Sequence, residues 1–140
     1  MKIAIIGDGG VGKTTLIKRI KDNYFEKQYL ATTGHTIHSI ELNNIVFHFY
    51  DYAGQEKYSG IEIEDSDFYI VMFDYSSKMS YKSINDWIRK IGDKPYIVVG
   101  NKCEIPEKKI EGNPLTHNIS VKTGYGIEEL ITLIGLNKTT

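Results

Sequence analysis

The chain has 140 residues, of which 41% are hydrophobic and 25% are charged, and its formal net charge is -1. This length and composition are those of one globular domain, and they exclude a disordered or collagen-like chain. The near-zero charge excludes a global positive field that would drive binding to nucleic acid or anionic lipid. We therefore expect the function to reside in local chemistry, with no nucleic acid as a partner.

One cysteine, Cys103, excludes an internal disulfide, and the first apolar stretch is too short for a secretory signal. No apolar run approaches the roughly 20 residues of a membrane-spanning helix. The last residues carry no cysteine for prenylation. We expect an intracellular, monomeric protein of the cytoplasm that is neither secreted nor anchored to a membrane by a lipid.

Six segments are predicted to be strands: residues 2–6, 36–42, 45–51, 68–74, 95–100 and 116–119. The first, fourth and fifth are continuous apolar runs, which is typical of parallel strands buried on both faces. The second and third alternate apolar with polar residues and are separated by Asn43 and Asn44, a pair that favours a tight antiparallel hairpin near a sheet edge. The last strand is short.

Three segments show the helical period of 3.6 residues. The first runs from residue 14 to about residue 23, and Arg19 is expected on its water-facing side. The second starts at Ser80 as N-cap and stops at Gly92, and the third covers residues 127–134. The alternation of strands and helices predicts an α/β fold, with a six-stranded mostly parallel sheet, one antiparallel strand and helices on both faces.

Residues 7–14, Gly-Asp-Gly-Gly-Val-Gly-Lys-Thr, fit the phosphate-loop pattern G-x-x-x-x-G-K-S/T between the first strand and the first helix. The glycines let backbone N–H groups turn inward and form a nest for phosphate oxygens. Lys13 adds a positive charge between the outer phosphates, and the Thr14 hydroxyl suits Mg²⁺. The predicted phosphate-binding residues are Gly9, Gly10, Val11, Gly12, Lys13, Thr14 and Thr15.

A phosphate loop alone does not distinguish a kinase, an ATPase and a GTPase, but three further motifs do. Residues 51–56, D-Y-A-G-Q-E, resemble the D-T-A-G-Q-E of Ras-superfamily small GTPases. Residues 101–104, N-K-C-E, resemble the family's guanine-reading N-K-x-D, and residues 120–122, S-V-K, resemble its S-A-K. The chain is thus identified as a single small GTPase domain over residues 1–140, a P-loop NTPase with the Ras-like fold, reduced in size.

The resemblance implies roles around the phosphates. Asp51 would hold a Mg²⁺-bound water, and the Gly54 N–H would bind the γ-phosphate. Gln55 would orient the attacking water. With Thr14, the implied metal ligands are Thr32 and Asp51, and the implied catalytic residues are Gln55, Lys13, Thr32 and Gly54.

The resemblance also implies a guanine site. Glu104, in place of the family's aspartate, would accept two hydrogen bonds from guanine, a pattern that adenine cannot reciprocate. The Val121 N–H would bind the guanine carbonyl, with the Ser120 hydroxyl behind Glu104. The remaining residues implied in base binding are Phe25, Asn101, Lys102 and Lys122.

Residues 25–34, F-E-K-Q-Y-L-A-T-T-G, resemble the effector region of the Ran branch. Thr32 is then the switch threonine that ligates Mg²⁺ only with a γ-phosphate present, and Thr33 is its immediate rival. Phe25 would pack on the base opposite the Lys102 stem. Ran-likeness adds the nucleus to the expected locations, and the family implies effector, exchange-factor and GTPase-activating partners.

The predicted function is a Mg²⁺-dependent switch that binds GTP and GDP and hydrolyses GTP slowly. One alternative is a weakly hydrolysing GTP-binding scaffold or effector decoy of the same fold, although Gly9, Thr32 and Gln55 are all present. Another is an ATP-using small-molecule kinase. A kinase would need lid arginines, and the chain has only Arg19 and Arg89, both in predicted helices.

Overall fold

The structure, a computed structural model, describes residues 2–8, 10–21, 26–30, 36–42, 45–51, 66–102 and 116–135. The strands are β1 Lys2–Gly7, β2 Glu26–Leu30, β3 Thr36–Leu42, β4 Ile45–Asp51, β5 Phe68–Asp74, β6 Tyr96–Asn101 and β7 Thr116–Asn118. The helices are α1 Lys13–Lys21, α2 Lys78–Lys82, α3 Ile84–Ile91 and α4 Ile127–Leu133. None of the helices in these ranges is long and apolar enough to cross a membrane.

The described strands form one sheet in the order β2-β3-β4-β1-β5-β6-β7. Neighbouring strands from β4 to β7 pair in parallel, and β3 is antiparallel to β4, as predicted, and also to β2. The sheet has seven strands among the described residues, where the sequence predicted six. The additional strand is β2, whose sequence Glu-Lys-Gln-Tyr-Leu has neither an apolar run nor a clear alternation. Its strand conformation depends on backbone pairing with β3 at the end of the sheet.

Two apolar clusters cover the two faces of the sheet, because successive residues of a strand point to opposite faces. In β1, Ile3 and Ile5 belong to one cluster, and Ala4 and Ile6 belong to the other. The first cluster contains the buried apolar residues of α1 and α4, and the second contains those of α3. The prediction of helices on both faces is confirmed.

The helix predicted over residues 80–92 is confirmed as helical up to Ile91 except at Ser83, but its N-cap at Ser80 and its unbroken course are wrong. The structure has two helices there, and the N-cap is Ser77, whose hydroxyl accepts the N–H of Ser80 at 3.2 Å. The Ser80 hydroxyl instead accepts the N–H of Asp74 at 3.0 Å, which ties α2 to the end of β5. Ser83 separates α2 from α3, and Gly92 ends α3 as predicted.

The parallel strands place the sequence motifs together at the carboxyl-terminal ends of the strands. β1 ends at Gly7, where the phosphate loop begins, and β4 ends at Asp51, which is level with Ile5 of β1. β5 and β6 end at Asp74 and Asn101, which are paired with each other. In open α/β sheets, ligands bind in the crevice outside the carboxyl-terminal ends of the strands.

Candidate functional site

The phosphate loop leaves β1 at a point of close backbone approach. A Cβ on Gly7 would lie 2.4 Å from the carbonyl oxygen of Met72 in β5, so only glycine fits there. Gly10 and Gly12 have φ values of 80° and 102°, in the region that favours glycine. Lys13 is almost fully buried, and its Nζ donates to the carbonyl oxygens of Gly7 and Asp8 at 2.8 and 2.9 Å. Its positive charge is therefore held against the loop.

The Asp8 carboxylate ties the loop to α3. Its Oδ2 accepts the Ser83 hydroxyl at 2.8 Å, and its Oδ1 accepts the indole Nε1–H of Trp87 at 3.1 Å. Trp87 is 3% exposed and belongs to the second core cluster. Spacing alone gives no sign that its N–H reaches the phosphate loop, because that depends on the fold.

Asn101 joins the phosphate loop to the predicted base-reading residues. Its side chain is buried, and Nδ2 donates to the carbonyl oxygen of Val11 at 2.9 Å. Its Oδ1 accepts the N–H of Lys102 at 2.8 Å and the N–H of Val121 at 3.1 Å. One amide thus fixes three segments that are far apart in the sequence.

Lys102 follows Asn101 in a left-handed conformation, with φ 66°. Its Nζ forms an ion pair with Oδ2 of the buried Asp74 at 2.6 Å. The other Asp74 oxygen accepts the N–H and the hydroxyl of Ser76 at 2.8 and 2.7 Å. Burial raises the pKa of the Asp74 carboxyl, but the hydrogen bonds from Lys102 and Ser76 outweigh it, and the pKa lies below its ordinary value. Sequence reasoning assigned Asp74 no role.

The loop of residues 120–122, called here the base loop, follows β7. Ser120 is fully buried, and its hydroxyl accepts the N–H of Thr123 at 3.2 Å, so it stabilises the turn. The expectation that Arg19 faces water is wrong. From α1, Arg19 Nε and Nη2 donate to the carbonyl oxygens of Val121 and Lys122 at 2.8 and 2.7 Å.

The structure thus brings together the phosphate loop, Asn101, Lys102 and the base loop. Thr14 and Thr15 lie exposed in the first turn of α1. Asp51 lies at the end of β4, beside β1. The other predicted site residues lie outside the described residues: Gly9, Phe25, Thr32, Thr33, Gly54, Gln55 and Glu104.

Residues 2–104 match the family described as Roc, the Ras of Complex domain of DAPkinase. The chain belongs to the Roc family. Roc is a Ras-superfamily GTPase domain, so membership implies the P-loop GTPase fold and binding of guanine nucleotides. The resemblance to the Ras superfamily is confirmed at that level, and the Ran branch stays a prediction.

The Roc match includes the phosphate loop and residues 101–104, whereas the base loop and α4 follow it in the chain. Hydrogen bonds connect the two parts, because Asn101 and Arg19 of the matched segment both bind Val121. The base loop is therefore held by residues of the Roc segment.

The close packing of Gly12 on Asn101 gives a test of the link between the phosphate loop and the base loop. A Cβ on Gly12 would lie 2.4 Å from Asn101 Nδ2, whereas a Cβ on Gly10 would meet nothing within 4 Å. Both alanine variants carry the cost of positive φ, about 1–2 kcal/mol. In Gly12→Ala the free energy of unfolding, measured in urea, should fall by a further ~1–3 kcal/mol, because the new methyl group displaces the buried, hydrogen-bonded amide of Asn101. Equal losses in the two variants would contradict the link.

The lowered pKa of Asp74 predicts a dependence of stability on pH. The folded state favours the carboxylate, so its contribution is present above the unfolded-state pKa of about 3.9 and is lost as the pH falls through the lower folded value. Asp74→Asn should therefore destabilise the domain at neutral pH. The difference in the free energy of unfolding between this variant and the parent should shrink below about pH 4. Urea unfolding between pH 3 and 7 measures this.

Asp86→Asn is the matched control, since Asp86 is exposed on α3 and pairs with Arg89 at the surface. Such surface pairs contribute little to stability. If the difference in the free energy of unfolding between Asp74→Asn and the parent stayed constant down to pH 3, the lowered pKa of Asp74 would be refuted.

Proposed function

We propose that this Roc domain is a Mg²⁺-dependent molecular switch that binds GTP and GDP and slowly hydrolyses GTP to GDP. The observation that carries the proposal is the Asn101 amide, which hydrogen-bonds both Val11 of the phosphate loop and Val121 of the base loop. This arrangement suits a ligand with phosphates at one end and a purine at the other.

The metal proposal depends on Thr14, Thr32 and Asp51, whose hydroxyl and carboxylate oxygens are the kind of ligand that Mg²⁺ prefers. Two observations support it: Thr14 is exposed directly after Lys13, and β4 delivers Asp51 next to β1, which leads into the phosphate loop. When bound, Mg²⁺ neutralises charge that develops on the phosphates.

In the proposed reaction, Lys13 adds positive charge to the phosphate site. Gly54 donates its N–H to the γ-phosphate, and Gln55 orients the attacking water. Hydrolysis is slow because the two arginines of the chain are engaged elsewhere. Arg19 binds the base loop, and Arg89 pairs with Asp86. Acceleration then comes from a partner that inserts an arginine or fixes Gln55.

The Ran-like appearance of residues 25–34 extends the proposal to partners. This segment would carry the switch residue Thr32 and meet effectors in the GTP state, and exchange factors and GTPase-activating proteins would set the cycle. The nuclear location follows only from the Ran resemblance.

Gln55→Leu tests the proposed hydrolysis. GTP affinity should stay nearly unchanged, while single-turnover hydrolysis should slow at least tenfold, or about 1.4 kcal/mol in activation free energy, because the water loses its orienting amide. Equal rates in mutant and parent would remove the role of Gln55. A parent that binds GTP without any turnover would favour the scaffold or decoy function instead.

Glu104→Ala tests the proposed guanine reading. The variant should bind fluorescent GDP more weakly and lose preference for GDP over the ADP analogue, because the two acceptors for guanine are gone. Glu104→Asp is the control, since it keeps the carboxylate and should keep the preference. If Glu104→Ala bound GDP as tightly and selectively as the parent, Glu104 would not read the base.

A further inference from the structure

We propose that Arg19 is a positioning residue for the purine, one that holds the base loop in register with the phosphate loop. The inference rests on the proposed guanine site. It assigns a function in base recognition to a side chain of α1, the helix that follows the phosphate loop.

The contact is specific in its geometry. Nε and Nη2 of Arg19 donate to two consecutive backbone carbonyls, those of Val121 and Lys122, at 2.8 and 2.7 Å. A planar guanidinium has two N–H groups that point the same way, so it can bind both oxygens at once. The guanidinium also lies against the turn, since a Cβ on Gly124 would be in ordinary van der Waals contact with Arg19 Nη1, at 3.6 Å.

Val121 is held from two sides. Its N–H donates to Asn101 Oδ1, and its carbonyl oxygen accepts from Arg19. The two peptide planes that flank Val121 are therefore both fixed, one by the end of β6 and one by α1. The Val121 N–H is the group that we assign to the guanine 6-carbonyl, which would share this hydrogen with Asn101 Oδ1; the bond to Asn101 is the longer of the two that Oδ1 accepts.

Both side chains that hold Val121, those of Asn101 and Arg19, lie next to the phosphate loop. Asn101 binds Val11 inside the loop, and Arg19 lies in the helix that Lys13 begins. The distance between the phosphate nest and the base loop is thus set by two side chains. Without Arg19, the carbonyls of residues 121 and 122 lose their donors, and the base loop is free to shift relative to the phosphates.

The test compares Arg19→Gln and Arg19→Lys with the parent in their binding of GDP and 6-thioguanosine 5′-diphosphate. The thio analogue replaces the 6-carbonyl oxygen by a weaker acceptor, so the ratio of the two dissociation constants reports the contact to that oxygen. Arg19→Gln should weaken GDP binding on the order of tenfold and should narrow the preference for GDP over the thio analogue. Arg19→Lys, which can reach one carbonyl, should be intermediate.

Lys18→Gln is the matched control, because Lys18 is an exposed cation one residue away on α1. It should leave both dissociation constants unchanged. If Arg19→Gln weakened both ligands by the same factor, Arg19 would only stabilise the fold, and the inference would be wrong. The inference would also be wrong if Arg19→Gln left both constants as in the parent.

The two proposals fail in different ways. A parent that binds ADP as well as GDP overturns the proposed function and this inference with it. A parent that prefers GDP, together with an unchanged preference for GDP over the thio analogue in Arg19→Gln and Arg19→Lys, overturns the inference alone. Circular dichroism of both variants shows whether they are folded, and the lysine variant keeps the test decisive if the glutamine variant is not.

Discussion

The site depends on one buried amide. Asn101 ends the strand β6, and its side chain is 1% exposed, so each polar atom that lost its partner would remain without water. Leaving such a group unpaired costs about 1–3 kcal/mol. The carbonyl of Val11 and the N–H groups of Lys102 and Val121 are therefore held where the amide needs them. The phosphate loop and the base loop are positioned by the same group.

The phosphate loop, Lys102 and the base loop, all held by Asn101, form a frame for the site. Two charged side chains connect this frame to helices on both faces of the sheet. Asp8 fastens the phosphate loop to Ser83 and Trp87 on the α3 face, and Arg19 fastens the base loop to α1 on the other face. Lys102 is likewise held by Asp74, the last residue of the neighbouring strand. The described part of the site is thus cross-linked by hydrogen bonds and an ion pair between its segments. Such cross-links would suit the proposed nucleotide switch, in which one part of the site holds the ligand in both nucleotide states.

Much of the fold, and the position of the phosphate loop between β1 and α1, followed from local sequence patterns. The strands β1, β5 and β6 are apolar runs buried on both faces, and the phosphate loop is contiguous, so neighbouring residues carry the information. The edge strand β2 was missed because its polar sequence depends on pairing with β3. The N-cap was misplaced to Ser80 because nothing local indicates that the Ser80 hydroxyl binds the end of β5. The contact of Arg19 with the base loop was missed for the same reason, since its partner Val121 lies 102 residues further along the chain.

Competition between GTP and ATP for the purified chain measures whether the frame around Asn101 holds a guanine nucleotide. A site built to hydrogen-bond one base rejects another because its buried polar groups are then left unpaired. We expect GTP to bind more than about a hundredfold more tightly than ATP in the presence of Mg²⁺. Equal affinity for the two nucleotides, or a preference for ATP, would contradict it.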